Sequence, residues 1–580
     1  VDLSSPSQSI LAAITITIPA LFSTASIVSA QSVPALPPQR IEPSPRIEPE
    51  PSVEPFELPE TPPELNVPDL PPDGIPEIPS TESTLFVTAF TFVGNTVFSD
   101  EQLQAIAQPY TGRRITFSDL FELRSRITDL YLQNDYITSG AYVPLEANQN
   151  VDPSAANITL QVIEGGVEQI EVAGDRRLEA YVRRRIAPAT AAPLSRSKLE
   201  EALRLLQVDP LVDSVSGNLS PGSQTGLSIL EIEAVGEPIF ALSAGTDNRR
   251  LPSVGSVQGQ TSLSASNLLG AGERVSFGYS LTEGSDAFDV QLAAPVNARN
   301  GTLSFQYASI DGQIVEEPID EFDIRTDSRS YSLSFEQPIL RRATDSVIDE
   351  FVVGIRGTRV NSQATLAGFP FPLSPGANDN GVTRTAELTA FQAYSRRTGN
   401  EALFISSQFD VGIDAFNATV GEEPDAQYIT WGGQVAWIQR FSNSSELRLR
   451  GKVQLSGEPL IPFSQFSIGG PSSVRGYRQG ALLADSGVSG TAEVLFPILQ
   501  TREQELSLIP FAGVGVGWNN GRERALDDNF LAAVGLGTQY TWNDFSARIN
   551  YAVPFTDVGT TGNSLQENGI DFEVRYQLRF

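Results

Sequence analysis

The sequence predicts a membrane β-barrel of about 16 antiparallel strands preceded by two small α+β domains, and three observations predict it. From residue 237 to residue 580, apolar residues recur with a period of two. Ahead of them, residues 85–236 carry two copies of one strand–helix–helix–strand–strand pattern. After residue 30 there is no run of about 20 strongly apolar residues, so the bulk of the chain offers no helical membrane span.

The period-two region is clearest at its end. Ile570, Phe572, Val574, Tyr576, Leu578 and Phe580 form one apolar face, and Asp571, Glu573, Arg575, Gln577 and Arg579 alternate with them. Such a strand has one side suited to lipid and one suited to water. The pattern recurs at Val275-Phe277-Tyr279-Leu281, Phe288-Val290-Leu292, Leu303-Phe305-Tyr307, Tyr331-Leu333-Phe335, Leu447-Leu449 and Phe545-Ala547-Ile549-Tyr551, with turn residues between. Spanning strands of about 9 to 11 residues fit some 16 times into this stretch. Trp431, Trp437, Trp518 and Trp542 all lie here, where aromatic girdles are needed. A soluble β-sandwich or propeller is the competing reading of alternation alone. The last strand, with Tyr576, Leu578 and the terminal Phe580 on its apolar face, is suited to edge-to-edge pairing with a barrel assembly machinery.

The two earlier copies open with Phe86–Val93 before Gly94-Asn95, and with Val167–Val172 before Gly174-Asp175. Helix-start chemistry follows each turn: Ser99 with Gln102, and Ser197 with Glu200, both fit a capping box. Leu120, Leu123, Ile127, Leu130 and Tyr131 share one helical face, as do Leu199, Leu203 and Leu206. Ile158-Leu160-Val162 and Leu227–Ile232 supply the closing strands. The domains are placed at 85–164 and 165–236, and generic two-layer α+β units remain the alternative for these residues alone.

Further upstream, Gln31 to Thr84 holds 16 prolines and 11 acidic against 2 basic residues, the composition of an extended linker. Ser9 to Ala30 is apolar and ends Val28-Ser29-Ala30-Gln31, which reads as an export signal, residues 1–30, cut after Ala30. A buried apolar helix is the alternative there.

Over all 580 residues, 40% are apolar and 19% charged, which fits several folded units. The net charge of −31 disfavours nucleic acid as a partner. With no His and no Cys the chain lacks thiol nucleophiles, the usual zinc ligands and the side chain that titrates near neutral pH, so no catalytic residue, cofactor or metal is assigned. Ser195 with Lys198 is read as a helix start rather than a nucleophile and its base.

One segment stands apart. Gly469 to Gly480 is a Gly-rich, Arg-tipped loop with Val474-Arg475-Gly476-Tyr477 at its centre, set between alternating strands. With the repeated domains and the barrel pattern, it resembles the lumenal loop of transporters and assembly proteins that join periplasmic POTRA domains to a 16-stranded barrel. Over residues 85–580 the chain is most similar to two-partner secretion transporters of the haemolysin secretion/activation type. Thr246-Asp247-Asn248-Arg249 with Asn267–Glu273 is similar to the family's first barrel hairpin, and Gly490–Pro497 to the strand after the lumenal loop.

The resemblance implies a bacterial outer-membrane barrel at 237–580, a lumenal loop at about 463–490 and POTRA domains in the periplasm. It also implies export of one β-rich exoprotein, recognised unfolded by those domains, with outer-membrane lipid and the barrel assembly machinery as further partners. In the family the loop Arg is held by a carboxylate in a Phe-x-Asp-x-Gly strand, whereas here the stretch is Phe511-Ala512-Gly513-Val514-Gly515. Either another acid substitutes, Glu493 being the candidate, or the loop is held less firmly. An assembly factor of the same superfamily and a passive porin are the alternative functions; the first is expected to carry more than two POTRA domains, and the second leaves the repeated domains unexplained.

Overall fold

Two glycines decide where the first strand of each small domain must end. The computed structural model describes residues 65–66, 84–144, 154–421, 423–521, 526, 528–558 and 562–580, all within one unit spanning residues 40–580. In the first domain the strand Leu85–Val93 leads to helices Asp100–Ala107 and Phe117–Gln133, then to strands Gly140–Tyr142 and Ala156–Ile163. In the second, Gly166–Gly174 leads to helices Glu179–Ile186 and Arg196–Gln207, then to Val212–Pro221 and Leu227–Gly236. Both sheets pair the first and third of these strands in parallel and the second and third antiparallel. Gly94 and Gly174 turn at φ 91° and 95°. A Cβ on Gly94 would stand 2.4 Å from the Val162 carbonyl oxygen, and one on Gly174 would stand 2.2 Å from that of Ala234. The repeat in the sequence is thus one steric requirement met twice.

Ser99 and Gln102 cap the first helix reciprocally, as expected. The second begins at Phe117, where Thr116 and Asp119 form its capping box. Leu120, Leu123, Ile127 and Tyr131 bury against Phe90, Leu160 and Val162 of the sheet. Glu164, which ends the domain, accepts from Thr96 N at 2.6 Å, Val97 N at 2.8 Å and Tyr131 Oη at 2.9 Å. Burial works against its charge, yet these donors together hold the carboxyl below its usual range.

The expected capping box of Ser197 and Glu200 does not form. The cap is Ser195, whose hydroxyl accepts from Lys198 N. Ser197, inside the first turn, faces Asp135 of the other domain instead. Asp135 Oδ2 accepts from Ser195 Oγ and Ser197 N, both at 2.8 Å, and from Ser197 Oγ at 2.5 Å. A partner some 60 residues upstream leaves no local spacing to read.

The predicted export signal, residues 1–30, lies outside the described residues, and so does most of the predicted linker, 31–84. Within that linker, Leu65–Asn66 pairs in parallel with Gly217–Asn218, and Leu65 packs on the second domain's core. These two residues belong to the fold rather than to a spacer.

Sixteen antiparallel strands then close a barrel. They are Phe240–Asp247, Gln258–Ser266, Arg274–Leu281, Ser285–Pro295, Thr302–Gln313, Ile324–Ala343, Val347–Leu366, Val382–Thr398, Glu401–Gly412, Tyr428–Arg440, Glu446–Ser456, Ser486–Gln500, Gln504–Trp518, Phe530–Trp542, Phe545–Pro554 and Ile570–Arg579, with the short strand Phe369–Pro370 added on one connection. The last pairs with the first from Glu573↔Asp247 to Arg579↔Ala241. Phe580 extends the seam: its N–H and carbonyl bond Phe240 at 2.9 and 3.0 Å, and the two rings stack at 5.6 Å. Phe277, Leu303, Leu333, Ile355, Leu536 and Ile549 are exposed on the outer wall, while Asp410, Gln454, Glu493 and Asn550 are buried inside. Trp431 and Trp518 sit near one rim, and Trp437 and Trp542 near the other, in two girdles. Most connections at the rim of the small domains are short and most at the far rim are long, the tight turn between Leu281 and Ser285 being a short one on the far side.

Substituting Ala for Gly174 places a side chain in a left-handed backbone and against Ala234. It is expected to lower the opening free energy of the second domain by about 1–3 kcal/mol without altering barrel yield. Amide hydrogen exchange of Leu227–Gly236 in the full chain measures this, and wild-type protection there contradicts it.

Candidate functional site: the loop inside the barrel

Between Ser456 and Ser486 the chain turns back into the lumen. The predicted loop boundary at 490 is corrected to 485, because Ser486–Gly490 already pair with the neighbouring strands. Phe466–Ile468 and Leu482–Ala484 form a small antiparallel ribbon, and the motif hangs between its strands. Gly469 and Gly470, at φ 106° and 96°, make the bend, and Ser473 Oγ accepts from Gly469 N at 2.8 Å.

Glycines in the wall make room for the loop. Gly513, Gly515 and Gly517 line the inner side of the strand Gln504–Trp518. A Cβ on Gly513 would lie 3.4 Å from Val474 Cα, one on Gly515 2.5 Å from Ile468 Cγ2, and one on Gly517 2.7 Å from Ala484 Cβ. Val474 is fully buried in that groove. The position where relatives are expected to carry a carboxylate is therefore a contact point for loop backbone.

The anion stands one strand away. Glu493 lies midway along Ser486–Gln500, opposite Phe511 in the register, and points inward. Its Oε2 accepts from Arg475 Nη2 at 2.6 Å and from Arg548 Nη2 at 2.8 Å. Arg448 Nη1 is 4.0 Å from Oε1. The Arg475 guanidinium also lies 4.5 Å above the Phe511 ring. With side-chain exposures of 10% for Arg475 and 6% for Glu493, the pair is closed off from bulk water. Here both Coulomb attraction and the cation–π contact act with little screening.

The rest of the motif holds the loop in register. Gly476 turns at φ 95°, and a Cβ there would come within 3.0 Å of the Ala552 Cβ. Tyr477 Oη donates to the Ala532 carbonyl at 2.9 Å, accepts from Thr556 N at 3.1 Å, and is 2.7 Å from Thr556 Oγ1. Val474, Arg475, Gly476 and Tyr477 thus each meet a different part of the wall, and Arg475 and Glu493 are brought together. Tyr576, Leu578 and Phe580 are elsewhere, exposed on the outer face at the seam.

Sequence reasoning missed a second tether. Arg478 Nη1 and Nη2 bond Glu316 at 2.9 and 2.8 Å, and Nη1 also bonds Glu567 at 3.0 Å. Both acids sit in far-rim loops, 162 and 89 residues away, and no spacing links them to Arg478. Asp485, fully buried at the loop's exit, accepts from Leu460 N at 2.9 Å, Gln465 Nε2 at 3.0 Å and Asn520 N at 2.8 Å. Its place just before a period-two strand was the one available signal.

Residues 226–540 match the family described as haemolysin secretion/activation protein ShlB/FhaC/HecB, and residues 85–165 match the POTRA domain of ShlB type. The outer membrane transporter CdiB of Dickeya dadantii (strain 3937) is 22% identical over 398 residues, covering 67% of this chain and 68% of that one. The CdiB structure from Escherichia coli superimposes with a TM-score of 0.61 at 16% identity, over 87% of this chain and 92% of that one. The CdiB structure from Acinetobacter baumannii gives 0.58 at 17% identity, over 90% and 95%.

Removing the carboxylate strands two guanidinium groups, so Glu493→Gln is expected to loosen the loop at least as much as Arg475→Ala, by about 3 kcal/mol. Hydrogen exchange at 463–485 and single-channel conductance of the inserted barrel read this out. Protection and conductance unchanged in both variants would contradict it.

Proposed function

The chain belongs to the haemolysin secretion/activation protein family, an outer-membrane transporter family of two-partner secretion, and on that premise we propose how it moves its partner. The two small domains receive an unfolded β-rich exoprotein in the periplasm, and the barrel passes it outward once the lumenal loop yields. The observation that carries this reading is a lumen occupied by the chain's own loop, which the ion pair of Arg475 with Glu493 fastens to the wall beside a small apolar cluster with Leu531 and Ala533. An ion pair that keeps one partner on the wall can open without unfolding the barrel.

The receiving surface follows from the sheets. Among the described residues, the outer edges of Gly140–Tyr142 and Gly166–Gly174 carry no further strand. An unfolded chain can add a strand at such an edge, with main-chain hydrogen bonds supplying affinity and side-chain pockets selectivity. Folding of the partner outside then makes its passage irreversible. An assembly role in the same superfamily is the weaker reading, because the family whose model matches residues 226–540 is one of secretion/activation proteins.

Deleting residues 85–164 is expected to leave an inserted, conducting barrel and to reduce export of the partner below a tenth of wild type. The barrel strands close on themselves and need no hydrogen bond from that domain. Normal export by the truncated protein, measured in the culture medium, removes the proposed receiving role.

The terminal strand is proposed as the assembly signal, since Phe580 and its apolar face complete the seam with Phe240. A chain ending at Ile570 is expected to give no heat-modifiable barrel in the outer membrane. Insertion at wild-type level would show that the signal lies elsewhere.

A further inference from the structure

A cleft of about 900 Å³ opens between the second POTRA-type domain and the barrel rim that faces it. On the domain side it is lined by Arg185, Lys198, Glu201 and Leu205, and on the barrel side by Arg299, Ile339 and Arg341. Four cations thus converge on one opening against the carboxylates of Glu201 and Asp209, in a chain whose net charge is −31. Asp209 is already engaged, accepting from Tyr181 Oη at 2.6 Å and from Leu211 N at 3.1 Å.

The cations differ in how far they are committed. Arg185 spans the joint, donating to the carbonyls of Asn297 and Ala298 at 3.3 and 3.4 Å, and its buried Nε has no acceptor. Arg341 pairs with Glu350 at 3.3 Å. Lys198 and Arg299 are exposed, and neither side chain has an ion pair among the described residues. Two long cations with unspent donors therefore flank the opening.

The barrel side supplies the apolar half. A bulge falls between Pro338 and Leu340, and it pushes out Ile339, which is 61% exposed. Leu340 is also exposed, and the wall continues upward through Leu333 and Ile355 into the lipid-facing belt. The cleft is therefore cationic at the level of the periplasmic surface and apolar where it meets the hydrocarbon.

We propose that this cleft holds an anionic phospholipid of the periplasmic leaflet. Its phosphodiester lies between Lys198 and Arg299, with Arg185 behind, and one acyl chain runs beside Ile339 and Leu340. The continuity of the cleft with the lipid-facing wall selects a membrane lipid over a soluble phosphate ester. Each cation near an anionic headgroup adds to attraction, and the apolar wall adds chain burial. Such a lipid would fasten the second POTRA-type domain to the membrane surface beside the rim it already touches through Arg204 and Asp345, 2.6 Å apart.

The test uses the full chain purified in detergent and titrated with phosphatidylglycerol, with retained lipid counted by native mass spectrometry. Wild type is expected to retain phosphatidylglycerol in preference to phosphatidylcholine. The double variant Lys198→Gln, Arg299→Gln should need about tenfold more of it for the same occupancy. Neither side chain has a hydrogen bond or ion pair among the described residues, and heat modifiability of the barrel checks that the variant is folded. Equal retention by wild type and variant overturns the proposal. So does displacement of the bound lipid by millimolar inorganic phosphate, since that outcome assigns the cations to a soluble anion.

Discussion

Glu493 is one anion answering two guanidinium groups in a space closed to water, and the position of the lumenal loop follows from that constraint. An isolated carboxylate on the inner wall would be costly to bury. Arg548, on the strand Phe545–Pro554, supplies a charge that never leaves the wall. Arg475 supplies one that arrives with the loop. The wall therefore keeps a paired carboxylate whether the loop is in or out, and the loop can be displaced without leaving a bare charge behind. That arrangement separates the stability of the barrel from the placement of its plug.

The barrel was legible because lipid on one side and water on the other enforce a period of two in every strand, as in Ile570–Phe580. The small domains were legible for a steric reason: Gly94 and Gly174 must both avoid a carbonyl of the closing strand. Arg475 and its motif stood out in the same way, and Glu493 could be named because it lies on the strand that follows the loop. Tertiary partners could not be read. Ser197 fits a capping box by spacing, yet Asp135 takes its hydroxyl from the other domain. Arg478 looks like any loop arginine until Glu316 and Glu567 are brought to it by closure of the barrel. Gly513 appears in the sequence only as a missing carboxylate, whereas the structure uses its lack of a side chain to seat Val474.

The two small domains are joined more firmly than a linker between separate folds would require. Asp135 closes the first turn of a helix in the next domain, and Gly165 N donates to Ser139 Oγ at 3.1 Å across the same junction. Ile137 of the first domain packs on the core of the second. The second domain in turn touches the barrel through Arg185 and Arg204. Force applied to a chain held at the first domain is thus transmitted through folded contacts to the barrel rim.

The glycine-lined groove has a mechanical consequence. Gly513, Gly515 and Gly517 offer the loop a smooth track with no side chains to interlock, so Val474 and Ile468 rest on bare backbone. A knob seated among knobs must deform its neighbours to leave, whereas a segment on a track meets little friction along it. What holds the loop is a few polar fastenings, chiefly Arg475, Tyr477 and Arg478, and the apolar contacts with Leu531 and Ala533 on the neighbouring strand. The loop is seated like a bolt on a smooth rail: pinned near its tip, with the rail itself giving little hold.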